Sequence, residues 1–207
     1  MSRIFPFLLL AAFGALSVRS SRVPSQCAFD FPALLTSAGG GTEIAAQRAA
    51  PGILNKPAPG WGVKKWLNLA DGVRSLDVSD FKGKVLYLYC FQSWCPGCHS
   101  HGFPTLQKMI KRYQGNDDVV FVAVQTVFEG FGSNTFEHAK RIAKRYDLDI
   151  PIGQSGENGK RSPLMRAYRT GGTPWTVIID RNGVVRFNDF HAKEPQASEL
   201  IDRLLED

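Results

Sequence analysis

An α/β domain built on a mixed β-sheet is the architecture expected of this 207-residue chain, on three observations. From Trp61 onward, apolar runs of strand length alternate with amphipathic helical stretches, the pattern of a sheet covered by helices. Val85 to Phe91 is apolar without a break, as expected of a central strand with both faces covered. Arg181-Asn182-Gly183, between two strand-like runs, is a hairpin signal, so the later part of the sheet turns antiparallel.

The elements follow in order. After the strand at 85–91 comes a helix whose apolar face is Phe103, Leu106, Ile110 and Tyr113, ending near Gly115. If that helix starts at Pro96, Pro104 is expected to kink it, because proline has no N–H and its ring crowds the preceding turn. Val119 to Gln125 is the next strand. Ser133 or Asn134 is placed to cap a helix with Phe136, Ala139, Ile142, Ala143 and Tyr146 on one face, ended by Pro151. A short strand near Ile152, a helix over Leu164 to Tyr168 and a strand from Trp175 to Asp180 come next. The hairpin then leads into Val184 to Phe190, and Ser198 to Leu205 closes the chain as a helix.

The first 60 residues read differently. Ile4 to Val18 is an apolar run preceded by Arg3 and followed by small residues, the pattern of a signal peptide over 1–20. At about 15 residues it falls short of the roughly 20 that cross a bilayer, so a transmembrane helix is disfavoured and an uncleaved N-terminal anchor is the alternative. Residues 21–60 are rich in Ala, Gly, Pro and Ser and read as a linker or extension, with a short helix over Thr42 to Ala50. The structured domain is expected over 61–207. Export implies an oxidising compartment, where paired cysteines are either structural staples or redox tools.

Composition narrows the function. A net charge of +6 without an arginine-rich block or basic-aromatic strip does not indicate a nucleic-acid partner. Four cysteines in 207 residues are far too few for a disulfide-built scaffold, which needs about 8–10%. Cys90 reads as a buried apolar residue in its strand, and the role of Cys27 stays open. Cys95 and Cys98, in Trp94-Cys95-Pro96-Gly97-Cys98, follow a strand and open a helix. The unpaired N–H groups and positive dipole end of that helix favour a thiolate at Cys95, making it the attacking thiol. Cys98, one turn on, would resolve the resulting mixed disulfide, and two such thiols exchange two electrons with a partner disulfide without a cofactor.

On these residues the chain from Trp61 onward resembles the thioredoxin superfamily and, within it, the exported TlpA/ResA-like branch of thiol–disulfide oxidoreductases. The matching residues are Phe81-Lys82-Gly83-Lys84, the Cys95-Pro96-Gly97-Cys98 motif with Trp94, Phe103-Pro104, and Gly172-Thr173-Pro174 ahead of the strand at Trp175. The resemblance implies a thioredoxin-like fold with a helix–strand unit inserted between the Cys-x-x-Cys helix and the strand after Pro174, over about Asn134 to Gln154. It implies a cis Thr173–Pro174 bond, the bond type nearly confined to proline, offering backbone to a substrate. It further implies Trp94, Thr173 and Pro174 as substrate-binding residues, no cofactor or metal, protein thiols and disulfides as partners, and a periplasmic reductant fed by a membrane electron donor, as in cytochrome c maturation. Two positions depart from the pattern. Tyr89 stands where thioredoxins place a buried aspartate, and His99, Ser100, His101 and Gly102 fill the stretch where ResA-like proteins place a glutamate. His101 is therefore the candidate proton acceptor for Cys98, and His99 a group that would favour the Cys95 thiolate if protonated.

Rival readings remain open at this stage. Cys95-x-x-Cys98-His99 also satisfies the c-type haem attachment pattern, with Met165 as a possible axial ligand. Zinc or copper would need more ligands than one cysteine pair and two neighbouring histidines supply. A peroxiredoxin-like peroxidase would require Pro at Leu88 and Thr or Ser at Gln92.

Overall fold

The computed structural model describes residues 52–207; the expected signal peptide over 1–20, most of residues 21–60, the expected helix over 42–50 and Cys27 lie outside the described residues. Six strands form one sheet: β1 (Lys65–Leu67), β2 (Val85–Phe91), β3 (Val119–Thr126), β4 (Ile152–Ser155), β5 (Trp175–Ile179) and β6 (Val185–Phe190). Their order across the sheet is β1-β4-β3-β2-β5-β6. The β2–β3 and β3–β4 pairs are parallel, while β1–β4, β2–β5 and β5–β6 are antiparallel, giving the expected mixed sheet. The helices are α1 (Phe103–Arg112), α2 (Phe136–Arg145), α3 (Pro163–Tyr168) and α4 (Glu194–Glu206).

All seven residues of β2 are buried, and strand alternation sends them to two different layers. Tyr87, Tyr89 and Phe91 enter an aromatic layer with Phe103, Leu106, Met109, Ala139, Ile142 and Ile201. Leu86, Leu88 and Cys90 enter the layer on the opposite face with Trp61, Leu164, Tyr168, Val177 and Ile179. The inserted unit is α2 plus β4, as expected from the resemblance, and β4 extends the parallel part of the sheet.

Four details differ from the sequence reading. Packed structure starts before Trp61: Ile53 is buried, Asn55 N donates to Val185 O (2.8 Å), and Pro57 bridges Val184. Composition placed this stretch in the linker because its one large buried apolar side chain carries no periodic signal. The cap of α2 is Thr135 rather than Ser133 or Asn134, its hydroxyl accepting from His138 N. Strand β1 and a one-turn 3-10 helix at Val78–Phe81 were too short to register as patterns. Pro104 does not produce a simple kink. The helix runs unbroken from Pro96, and its turn Cys98–Gly102 widens to a π-helix in which Phe103 N donates to Cys98 O; this widened turn lies immediately ahead of Pro104 and accommodates a residue that has no N–H to donate.

Candidate functional site

Strand β2 ends at Phe91, and Gln92 to Trp94 turn the chain into the helix that carries the two cysteines. A buried amide network holds this turn. Ser93 N donates to Asn134 Oδ1 (2.8 Å) and Gln125 Oε1 (3.2 Å), Gln125 Nε2 donates to Gln154 Oε1 (2.7 Å), and Asn134 Nδ2 donates to Gln92 Oε1 (3.3 Å). Gln92, Gln125 and Asn134 are essentially inaccessible, so each bond lies where water cannot replace it. Sequence reasoning missed this network. The available signal was a glutamine at each of three strand ends, Gln92, Gln125 and Gln154, where an apolar run stops but burial does not.

The turn delivers Cys95 to the surface and Cys98 beneath it. Cys95 is 8% exposed, Cys98 is fully buried and Trp94 beside them is 46% exposed. Both thiols are free. Cys98 N donates to Cys95 Sγ at 3.3 Å, so an N–H of the helix start points at the outer sulfur. The Cys95 thiol in turn donates to Thr173 O at 3.4 Å. The Thr173–Pro174 peptide is cis, as the resemblance implied, and Pro174 lies directly against the motif. A Cβ placed on Gly97 would meet Pro174 Cδ at 3.3 Å, and one on Gly102 would meet Pro174 Cβ at 3.0 Å. Glycine at both positions is what allows the cysteine helix to approach the proline this closely.

Burial pushes the Cys98 thiol up to about 12, and the adjacent Cys95 adds to the rise. A backbone hydrogen bond from Gln92 and the hydroxyl of Tyr89 oppose it. Tyr89 is itself held well above its ordinary value by burial, so its hydroxyl stays protonated and can only donate to a charge on Cys98. While Cys98 is a thiol, that hydroxyl has no hydrogen-bond partner. It lies over Gly102, where any Cβ would collide with it.

The histidines are placed differently from one another. His99 Nε2 contacts Ser93 O at 2.7 Å and must donate there, leaving Nδ1 to accept from the Tyr146 hydroxyl (2.7 Å) in the neutral ring. With its ring packed beside Phe103 and Tyr146 and both nitrogens engaged, His99 is not presented as the free axial donor the haem reading needs. Met165, the other proposed ligand, lines a separate groove with Phe128. His101 is exposed; its Nδ1 contacts Ser100 Oγ (2.6 Å) and its ring meets the edge of His191. His101 forms its hydrogen bond with Ser100 rather than with Cys98, and the hydroxyl that acts to lower the Cys98 thiol is that of Tyr89. Among the described residues no group of three or more His, Cys, Asp or Glu side chains is arranged to hold a metal ion.

Known proteins resemble this chain in sequence and fold. The ResA thiol–disulfide oxidoreductase of Bacillus cereus is 24% identical over 112 residues, 54% of this chain and 58% of that protein. That of Geobacillus kaustophilus is 27% identical over 109 residues, 53% and 56% respectively. The chain thus spans a little over half the length of the curated relatives it matches. Among solved structures, a thioredoxin-like superfamily protein superposes with a TM-score of 0.66 at 31% identity, covering 73% of this chain and 97% of that one. A thiol–disulfide isomerase from Corynebacterium glutamicum gives 0.64 at 30% identity, covering 72% and 97%. The Redoxin family model matches residues 54–203, nearly the whole described domain, and on that match this chain belongs to the Redoxin family with a thioredoxin-like fold.

Proposed function

We propose that this chain is a thiol–disulfide oxidoreductase that reduces protein disulfides in an exported, periplasmic setting. The observation that carries the reading is the placement of Cys95 Sγ between a helix-start N–H, from Cys98, and the backbone carbonyl of Thr173. One contact aims a helix-start N–H at the attacking sulfur and the other lies where an incoming chain meets backbone. The Cys95 thiolate attacks a substrate disulfide, one substrate sulfur leaves as a thiolate and takes a proton, and a Cys95–substrate mixed disulfide forms. Cys98 then loses its proton, attacks Cys95 Sγ and releases the second substrate thiol, leaving a Cys95–Cys98 disulfide. Two electrons have passed from the pair to the substrate.

Three further roles belong to the same proposal. Trp94 shields the pair, Thr173 and Pro174 align substrate backbone, and Tyr89 donates to the Cys98 thiolate as it forms. The apolar run Ile4 to Val18 supports export and an N-terminal tether. The likeness to ResA proteins supports a reductant supplied by a membrane electron donor, in the manner of cytochrome c maturation. A redox titration against glutathione or dithiothreitol tests the reading. One two-electron couple is expected, lost in Cys95→Ser, with a potential nearer the roughly −270 mV of a reductant than the roughly −120 mV of an oxidant. An unchanged couple in Cys95→Ser overturns the function, and a potential near the oxidant value overturns its direction.

A further inference from the structure

A groove of about 500 Å³, separate from the redox pair but joined to it through neighbouring segments, is lined by Phe128, Arg161, Met165, Arg166, Arg169 and Thr170 among others. Its lining comes from α3 with the residues at its two ends and from the loop after β3, and two of these segments continue to the site. Phe128 N donates to Gln92 Oε1 (3.4 Å), and two residues on, Gly130 abuts the Trp94 indole. On the opposite wall, Thr170 and Gly171 run directly into Gly172-Thr173-Pro174, whose Thr173 carbonyl accepts from Cys95.

The chemistry of the lining is one-sided. Arg161, Arg166 and Arg169 are exposed, no acidic side chain lines the groove, and among the described residues none of the three guanidinium groups forms an ion pair. The buried Thr170 hydroxyl also has no partner. Three like charges converging on one concave, partly apolar surface repel one another and are stabilised by an anionic occupant. Position selects the type of anion. Because Thr170 and Gly171 at the groove's edge run into Gly172-Thr173-Pro174, a chain aligned on the cis-proline segment with its cysteine at Cys95 has neighbouring residues within reach of the arginines.

We propose that this groove docks an acidic segment of the disulfide-bearing substrate protein, so that the preferred substrates carry Asp or Glu within a few residues of the target cysteine. The inference rests on the proposed reductase activity and names the substrate class of that site. Charge complementarity of this kind acts chiefly on the rate of encounter and on partner choice.

Two synthetic disulfide peptides test it, identical except for three Glu or three Lys flanking one cysteine, each reduced by the full chain in its dithiol form. Thiol release is followed in single turnover, with a small uncharged disulfide as the control substrate. The Glu peptide is expected to react at least about tenfold faster than the Lys peptide at low salt, the ratio shrinking toward one near 1 M salt. In Arg161→Ala/Arg166→Ala/Arg169→Ala the preference is expected to vanish while the control rate is unchanged. Equal rates for the two peptides overturn the proposal, as does a preference that survives in the triple variant. Equal rates combined with arginine-dependent binding to anionic phospholipid vesicles also overturn it and reassign the groove to a membrane surface. Failure to reduce any of the three disulfides removes the reductase reading instead, and this proposal with it.

Discussion

Cys90 and Cys98 are both fully buried, and they lie on opposite faces of the same sheet. Cys90 sits among Leu86, Leu88, Val122, Val124 and Tyr168, and burial raises its thiol far out of the physiological range. Cys98 is raised too, but a second sulfur, a backbone hydrogen bond from Gln92 and the Tyr89 hydroxyl surround it. Desolvation alone makes a thiol inert; desolvation with a waiting donor makes one that ionises only when the reaction reaches it. The difference between the two faces is a matter of which groups each face supplies, since β2 contributes to both in the same register.

That contrast can be attacked from several directions. Replacing the resolving sulfur should have the greatest consequence: Cys98→Ser is expected to reduce turnover to background while a Cys95–substrate mixed disulfide accumulates, visible on non-reducing gels. Next is pH. Because the Cys98 value is raised, the thiol form dominates below it, and each unit of pH increases the thiolate fraction roughly tenfold. Single-turnover resolution of a preformed mixed disulfide should therefore rise about tenfold per unit between pH 6 and 8; a plateau in that window would refute the assignment.

Removing the donor comes third. A hydrogen bond to a charged group is worth about 1.5–3 kcal/mol, so Tyr89→Phe should slow resolution by roughly 10- to 100-fold. Stability should not fall, since the hydroxyl has no partner in the thiol form. Gly102→Ala sets two effects in opposition: helix propensity favours alanine by about 1 kcal/mol, whereas overpacking against Tyr89 and Pro174 costs about 1–3 kcal/mol. Net destabilisation by denaturant titration is expected, and only part of it is relieved in the Tyr89→Phe/Gly102→Ala double variant, because the ring carbon at 2.8 Å and Pro174 Cβ at 3.0 Å still crowd the new methyl group. The mildest change lies on the other face. Cys90→Ala should cost about 1 kcal/mol for the small cavity and leave the redox potential unaltered.

Local patterns carried much of this architecture. An unbroken apolar heptamer marks β2, spacing marks the inner faces of α1 and α2, and the fold brings Cys95-Pro96-Gly97-Cys98 against Thr173-Pro174. Other features left little trace along the chain. Lys65–Leu67 pairs as an edge strand only because β4 offers it a partner. Ile53 is core only because it packs in one layer with Leu164, Tyr168 and Val185, and Asn134, which resembles a helix cap, holds the cysteine turn instead.

The succession of elements and the placing of Cys95-x-x-Cys98 between a strand and a helix follow from local periodicity and from a motif of a few neighbouring residues, and the cis Thr173–Pro174 bond was implied by the family resemblance. Three things depended on segments distant in sequence arriving together: the charge environment of Cys98, the amide network behind Ser93 and the arginine groove. Tyr89 and Cys98 are nine positions apart, Ser93 and Asn134 forty-one, and Arg161 is further still from the cysteines. Desolvation and electrostatics act through space, so their effects exist only once the chain has closed around them.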